Sequence, residues 1–153
     1  MDNSKGAAMM GKKSNKDGRI KHLDVDGQHD EVYAKVKKLA STIKNMGSER
    51  EVFHRLFSLS KYARMHFMEE EKLMFISGYR QHQEHKQQHA EFIRKIGEIK
   101  SAYHDDRASQ TLPKIVQDTL GKWLRQHIET DDEAFKVWIN SGNRQTRSIM
   151  IES

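Results

Sequence analysis

From about Asp24 onward, apolar residues return every three or four positions. His29, Val32, Val36, Leu39 and Ile43 are spaced three, four, three and four apart, so they share one side of a helix. The pattern predicts a first helix from about Asp24 to Met46, stopped by Gly47. Ser48 and Glu51 then have the spacing of a capping box, the serine receiving the third amide while the glutamate reaches back. They open a second helix, about Glu49 to Ile76, that ends near Gly78. Its inner side reads Leu56, Leu59, Ala63, His66, Glu70 and Leu73. A third helix, about Gln81 to Tyr103, carries His85, His89, Phe92, Ile96, Ile99 and Tyr103. After "HDDRASQ", Pro113 suits the first turn of a fourth helix running to about Ile139. That helix carries Val116, Leu120, Leu124, His127 and one of Asp131 or Asp132. Four long helices joined by short connections predict an all-α, antiparallel up-down-up-down four-helix bundle.

The chain has 153 residues, a usual size for one domain. Residues 1–20 are polar and aperiodic, and read as a disordered basic arm. Residues 21–142 form the bundle and 143–153 a short tail. The net charge is +5, but much of the excess lies at the two ends, from Lys5 to Lys21 and at Arg144 and Arg147. The charge is therefore weak support for a nucleic-acid partner, and none is expected. There is no cysteine, which excludes disulfides, thiolate nucleophiles and sulfur-ligated zinc. No apolar run approaches the roughly 20 residues of a membrane span. A cytoplasmic protein is the expectation.

Nine histidines change the picture. His29 lies on the first seam, His66 and Glu70 on the second, His85 and His89 on the third, and His127 with an aspartate on the fourth. Burying one polar side chain without a partner costs roughly 2–7 kcal/mol. Several in one core need a shared partner, and a divalent cation satisfies imidazole nitrogens and carboxylate oxygens together. His66 and Glu70 are four residues apart, as are His85 and His89, so each pair stacks on one helix face. Five imidazoles and two carboxylates exceed a four-ligand structural zinc site. They suit two ions about 3.5–4 Å apart, bridged by the carboxylates. Nitrogen and oxygen donors without sulfur favour iron or manganese. In "HFMEEEKLM" only Glu70 falls four residues after His66, so Glu69 and Glu71 are expected to face outward or to reach lysines on the helix surface. His22, His54, His82 and His104 are read as solvated or capping residues.

These blocks resemble the hemerythrin family, in its bacterial form. The resemblance covers about residues 22–140 and rests on "DGQHDEVY", "YARMHFMEEEKLM", "GYRQHQEHKQQHAEF" and "KWLRQHIETDDEAF". Their spacing agrees as well: H-x-x-x-E, fifteen residues from that glutamate to the next ligand histidine, H-x-x-x-H, and H-I-x-x-x-D. The resemblance implies a non-heme di-iron centre that takes up dioxygen reversibly. His85, His89 and His127 would hold one iron, which is then coordinatively full. His29 and His66 would hold the other, leaving a position open, and Glu70 and Asp132 would bridge the two along with an oxo or hydroxo group. Helix geometry alone favours Asp131, four residues after His127. The family's spacing favours Asp132. The family also implies a pocket leucine at Leu124, and Phe67, Trp123 and Ile128 are further wall candidates. Arg80 stands where members often have proline, no tryptophan precedes Trp123, and His82 is a rival ligand by spacing.

The expected function is dioxygen carriage, storage or local delivery, without a catalytic side chain. An oxygen-consuming enzyme or a signalling protein is the expected partner class. The competing expectations are an oxygen, redox or iron sensor on the same site, and removal of peroxide or nitric oxide.

Overall fold

The computed structural model describes residues 25–142, with side chains from Gln28 onward. The expected arm at 1–20 and tail at 143–153 lie outside the described residues. The described chain is all-helical. Helix α1 is Val25–Lys44, α2 is Glu49–Ser77 and α3 is His82–Asp105. The fourth rod is continuous but not uniform. It comprises α4 (Leu112–Val116), a π-helical turn (Gln117–Gly121), α5 (Lys122–His127), a second π turn (Ile128–Asp132) and α6 (Glu133–Asn140). Helix α1 packs on α2 and on the first half of the fourth rod, and α2 packs on α3.

The helix ends follow from local chemistry. Ser48 Oγ accepts a hydrogen bond from the Glu51 amide at 3.1 Å, capping α2. Gly78, at φ 76, ends α2 in the left-handed conformation that glycine adopts without steric cost. The end of α1 departs from expectation. The left-handed residue there is Met46, at φ 58, not Gly47. The Met46 amide donates to Ile43 O at 3.1 Å and the Gly47 amide to Thr42 O at 2.9 Å, which together close the terminal carbonyls. Gly47 is required for space instead. A Cβ at that position would lie 2.7 Å from Thr42 Cγ2 and 2.9 Å from Glu51 Oε1.

Met46 is 68% exposed, so its side chain gains little to offset the left-handed backbone. Met46→Gly is expected to raise the unfolding free energy by about 0.5–1 kcal/mol in a urea titration. Gly47→Ala is expected to lower it.

The core lies in two apolar blocks with the polar side chains between them. The larger block includes Val36, Leu39, Leu59, Phe67, Phe92, Leu120 and Leu124. The smaller holds Met74, Tyr79, Phe135 and Ile139, with Leu73 and Trp138 packed against it. On α2 the inner line runs Ala63, Phe67, Glu70, Met74, so Met74 rather than Leu73 continues the seam past Glu70. Steps of four and three keep a side chain on the same helix face, and both residues satisfy that. Met74 is fully buried, while Leu73 sits at the edge of the cluster.

Candidate metal centre

Between the two apolar blocks each rod contributes ligand-type side chains. His29 comes from α1, His66 and Glu70 from α2, His85 and His89 from α3, and His127 and Asp132 from the fourth rod. All seven are buried. They form two groups. Glu70, His85, His89, His127 and Asp132 can each turn one donor atom to a common point, and so can His29, His66, Glu70 and Asp132. Within each group the donor atoms lie within 4.8 Å of one another. The two carboxylates are shared between the groups. His82, the rival by spacing, is in neither group, and its ring lies 5.6 Å from Phe75. His54 and His104 are exposed, as expected.

The second π turn explains why Asp132 is in the cluster and Asp131 is not. A π turn carries one residue more than an α turn. From His127 the inward position is therefore reached at the fifth residue instead of the fourth. Asp132 is 7% exposed and its Oδ1 lies 3.2 Å from His127 Nε2. Asp131 is left on the flank, 41% exposed, with Oδ2 3.5 Å from the outer nitrogen His127 Nδ1. The helix-geometry expectation fails here because the helix is not an α-helix at that turn.

The inner nitrogens face one another. His127 Nε2 lies 3.2 Å from His89 Nε2 and 3.1 Å from His85 Nε2. As metal ligands these nitrogens would present lone pairs that a cation between them would hold together, and without one a proton on one ring of each pair must serve. Atoms 3.1–3.2 Å apart at right angles about a common centre lie about 2.2 Å from it, near the usual metal–imidazole distance of about 2.0–2.1 Å. His29 Nε2, Glu70 Oε1 and Asp132 Oδ1 are buried with no well-formed hydrogen bond. They are held only by charge proximity, such as His29 Nε2 to Asp132 Oδ2 at 3.2 Å and His89 Nε2 to Glu70 Oε1 at 3.1 Å. Buried polar atoms are rarely left so poorly matched. These donors fit a pair of cations.

The electrostatics agree. Burial raises the pKa of Glu70, but the imidazoles of His85 and His89 outweigh it and hold the carboxyl below its ordinary value. Burial acts on Asp132 in the same way, and His127, His29 and His85 hold it well below the carboxylate range. Burial also opposes a charged His85, yet the Asp132 and Glu70 contacts lift its pKa to about 9. At His66 burial wins and the pKa falls, leaving a neutral ring. A pocket that draws a proton onto one buried imidazole while keeping both carboxylates ionised has a potential that favours cations.

The outer ring nitrogens reveal residues that the sequence did not single out. His89 Nδ1 lies 2.7 Å from Glu71 Oε2, whose side chain is 20% exposed. Glu71 therefore does not simply face water. It lies 100° round the helix from Glu70, close enough to the inner face for its longer side chain to reach across to α3. His66 Nδ1 lies 2.6 Å from Gln28 Oε1, and Gln28 Nε2 donates to Glu69 Oε1 at 3.2 Å. These contacts orient the rings with Nε2 inward. Spacing within one helix does not reveal them, because each contact spans two helices.

Of the four pocket candidates, Phe67 and Leu124 are buried, and Trp123 and Ile128 pack partly buried against the same core. Phe67 stacks on His89, with centroids 3.9 Å apart and planes 6° from parallel. Trp123 stacks on His127 at 4.6 Å. These two rings therefore back the three-histidine group, and Phe67 also lies 5.7 Å from His66.

The model of the hemerythrin HHE cation-binding domain matches residues 23–139. The bacteriohemerythrin of Methylococcus capsulatus is 30% identical over 112 residues, covering 72% of this chain and 82% of that protein. The bacteriohemerythrin of Pseudomonas aeruginosa is 29% identical over 113 residues, 72% of this chain and 70% of its own. Myohemerythrin-1 of Phascolopsis gouldii is 27% identical over 118 residues, 77% of this chain and 86% of its own. No solved structure gives a significant match. A family match across most of the chain, on a helical frame that gathers histidines and two carboxylates around shared points, makes this chain a member of the hemerythrin family.

Proposed function

We propose that the chain binds dioxygen reversibly at a non-heme di-iron centre, for carriage, storage or local delivery, and that it is not an enzyme. The observation that carries this reading is the division of donors: five side chains around one point, four around the other, and Glu70 and Asp132 in both. His85, His89 and His127 with the two carboxylates would nearly fill a six-coordinate ion. His29 and His66 with the same carboxylates would leave room for a small ligand on the other. Two ferrous ions would supply one electron each to dioxygen and recover them on its release.

The protein's own part is to bind, orient and exclude. The Nδ1 contacts at His66 and His89 fix the rings. Phe67, Leu124, Trp123 and Ile128 keep apolar surface against the site, which limits water and small anions. No side chain in the cluster is left over as an acid or base, which suits binding without turnover. An up-down-up-down course of the rods goes with this reading, since the turns at Gly47 and Gly78 join helices that pack on each other. So does one bundle unit over residues 21–142. A cytoplasmic location suits a chain without cysteine. Among the described residues no helix is long and apolar enough to cross a membrane.

The test is an ultraviolet-visible spectrum of the iron-loaded protein, first anaerobic and then aerobic. Two irons per chain and a visible band that appears with oxygen and bleaches under vacuum are expected. Irreversible oxidation on the first exposure would remove carriage from consideration, and turnover of peroxide or nitric oxide would favour detoxification.

A further inference from the structure

The two donor groups differ in what stands behind their imidazoles. In the three-histidine group, His89 Nδ1 meets a carboxylate, Glu71 Oε2, at 2.7 Å. Asp131 Oδ2, a second carboxylate, lies 3.5 Å from His127 Nδ1. In the two-histidine group, His66 Nδ1 meets a neutral amide oxygen, Gln28 Oε1, at 2.6 Å. The amide is held in that orientation because its nitrogen donates to Glu69 Oε1 at 3.2 Å. With Nε2 turned to the metal, Nδ1 must carry the proton, so both Glu71 and Gln28 act as acceptors. A carboxylate acceptor pushes electron density through the ring and makes Nε2 a stronger donor. An amide oxygen does this far less, because a charged acceptor bonds about twice as strongly as a neutral one.

We propose that Glu71 and Gln28 are positioning residues that set the two metal positions apart. Carboxylate backing holds the three-histidine ion tightly and favours its ferric state. Amide backing leaves the two-histidine ion weaker, more exchangeable and easier to return to the ferrous state. This inference rests on the di-iron reading above. It places the softer ion where the donor set is smaller, the position with room for a ligand. The exposed Glu69 acts only through Gln28, by fixing which end of the amide meets His66.

Two near-isosteric exchanges test it in the full-length, iron-loaded chain. Metal content is measured first, then release of iron to excess chelator, then the reduction potential of the centre. Gln28→Glu, made together with Glu69→Gln so that an amide donates to the new carboxylate across the 3.2 Å contact, is expected to slow loss of the first ion by about tenfold and to lower the potential. Glu71→Gln is expected to leave loss of the first ion unchanged, to speed loss of the second by about 10–100-fold and to raise the potential. General loosening of the bundle would speed both losses and could not move the potential in opposite directions. If the Gln28→Glu, Glu69→Gln variant fails to slow the first loss, or both variants shift the potential the same way, the asymmetry is overturned. If the loaded wild-type chain holds fewer than two irons, the di-iron reading falls first and the asymmetry with it.

Discussion

Glu70→Ala is expected to lose both metal ions while the chain stays helical. Glu70 Oε1 lies 3.3 Å from His85 Nε2 and 3.1 Å from His89 Nε2, and the same carboxylate belongs to both donor groups. Removing it takes one donor from each ion and the negative charge between them. The remaining imidazoles would face two like charges with Asp132 as the one bridging side chain left, and close pairs of cations are not stable without enough bridging anions. The loss of affinity should exceed the roughly 10–100-fold typical of removing an outer partner. The helices should survive, because the larger apolar block from Val32 to Leu124 does not use Glu70. Glu69→Ala is the matched control and should keep both ions, since Glu69 is exposed and, among the described residues, reaches the site through Gln28. Glu71→Ala should fall between them, weakening the His89 side by the loss of its 2.7 Å contact. Metal analysis after gel filtration, with far-ultraviolet circular dichroism on the same samples, separates these outcomes. Retention of two ions by Glu70→Ala would show that the bridge lies elsewhere.

The three glutamates show how far the sequence could be read. A helix has 3.6 residues per turn, so Glu70 could be assigned inward from its distance to His66 alone. The four rods, the Ser48 cap and the stop near Gly78 are legible for the same reason: each is set by residues within one turn of itself. The inward reach of Glu71 is not legible, because its partner, His89, is on another helix and eighteen residues away. Gln28 is not legible either, because an amide next to a ligand histidine has no signature of its own. At the end of α1 the left-handed residue is Met46, while Gly47 answers a space constraint set by Thr42 of α1 and Glu51 of α2, which the glycine alone does not reveal. In each case the deciding contact is between segments, and a periodic pattern within one segment carries no record of it.

Asp132→Ala is expected to abolish the centre, and Asp131→Ala to leave both ions bound. Asp132 Oδ1 lies 2.9 Å from His85 Nε2 and 3.2 Å from His127 Nε2, and Oδ2 lies 3.2 Å from His29 Nε2. One carboxylate thus reaches helices on both sides of the cluster. The neighbouring Asp131 cannot replace it, since the next residue on a helix points about 100° away. The π turn over Ile128–Asp132 makes this assignment, and its role can be tested directly. The inward positions on this stretch are His127, Asp132, Phe135 and Ile139, spaced five, three and four residues apart. Only the first step breaks an α-helical seam. Deleting the exposed Thr130 would shorten it to four and let the turn relax to an α-helix, with the aspartate, Phe135 and Ile139 still inward. The deletion loses one side-chain hydrogen bond, from Thr130 Oγ1 to Gln126 O at 2.7 Å, so the cost to folding should be small. The shortened chain is therefore expected to bind two ions and to lose them when the same aspartate is changed to alanine. If it folds but binds no metal, the extra residue does more than shift register, and the π turn itself shapes the site.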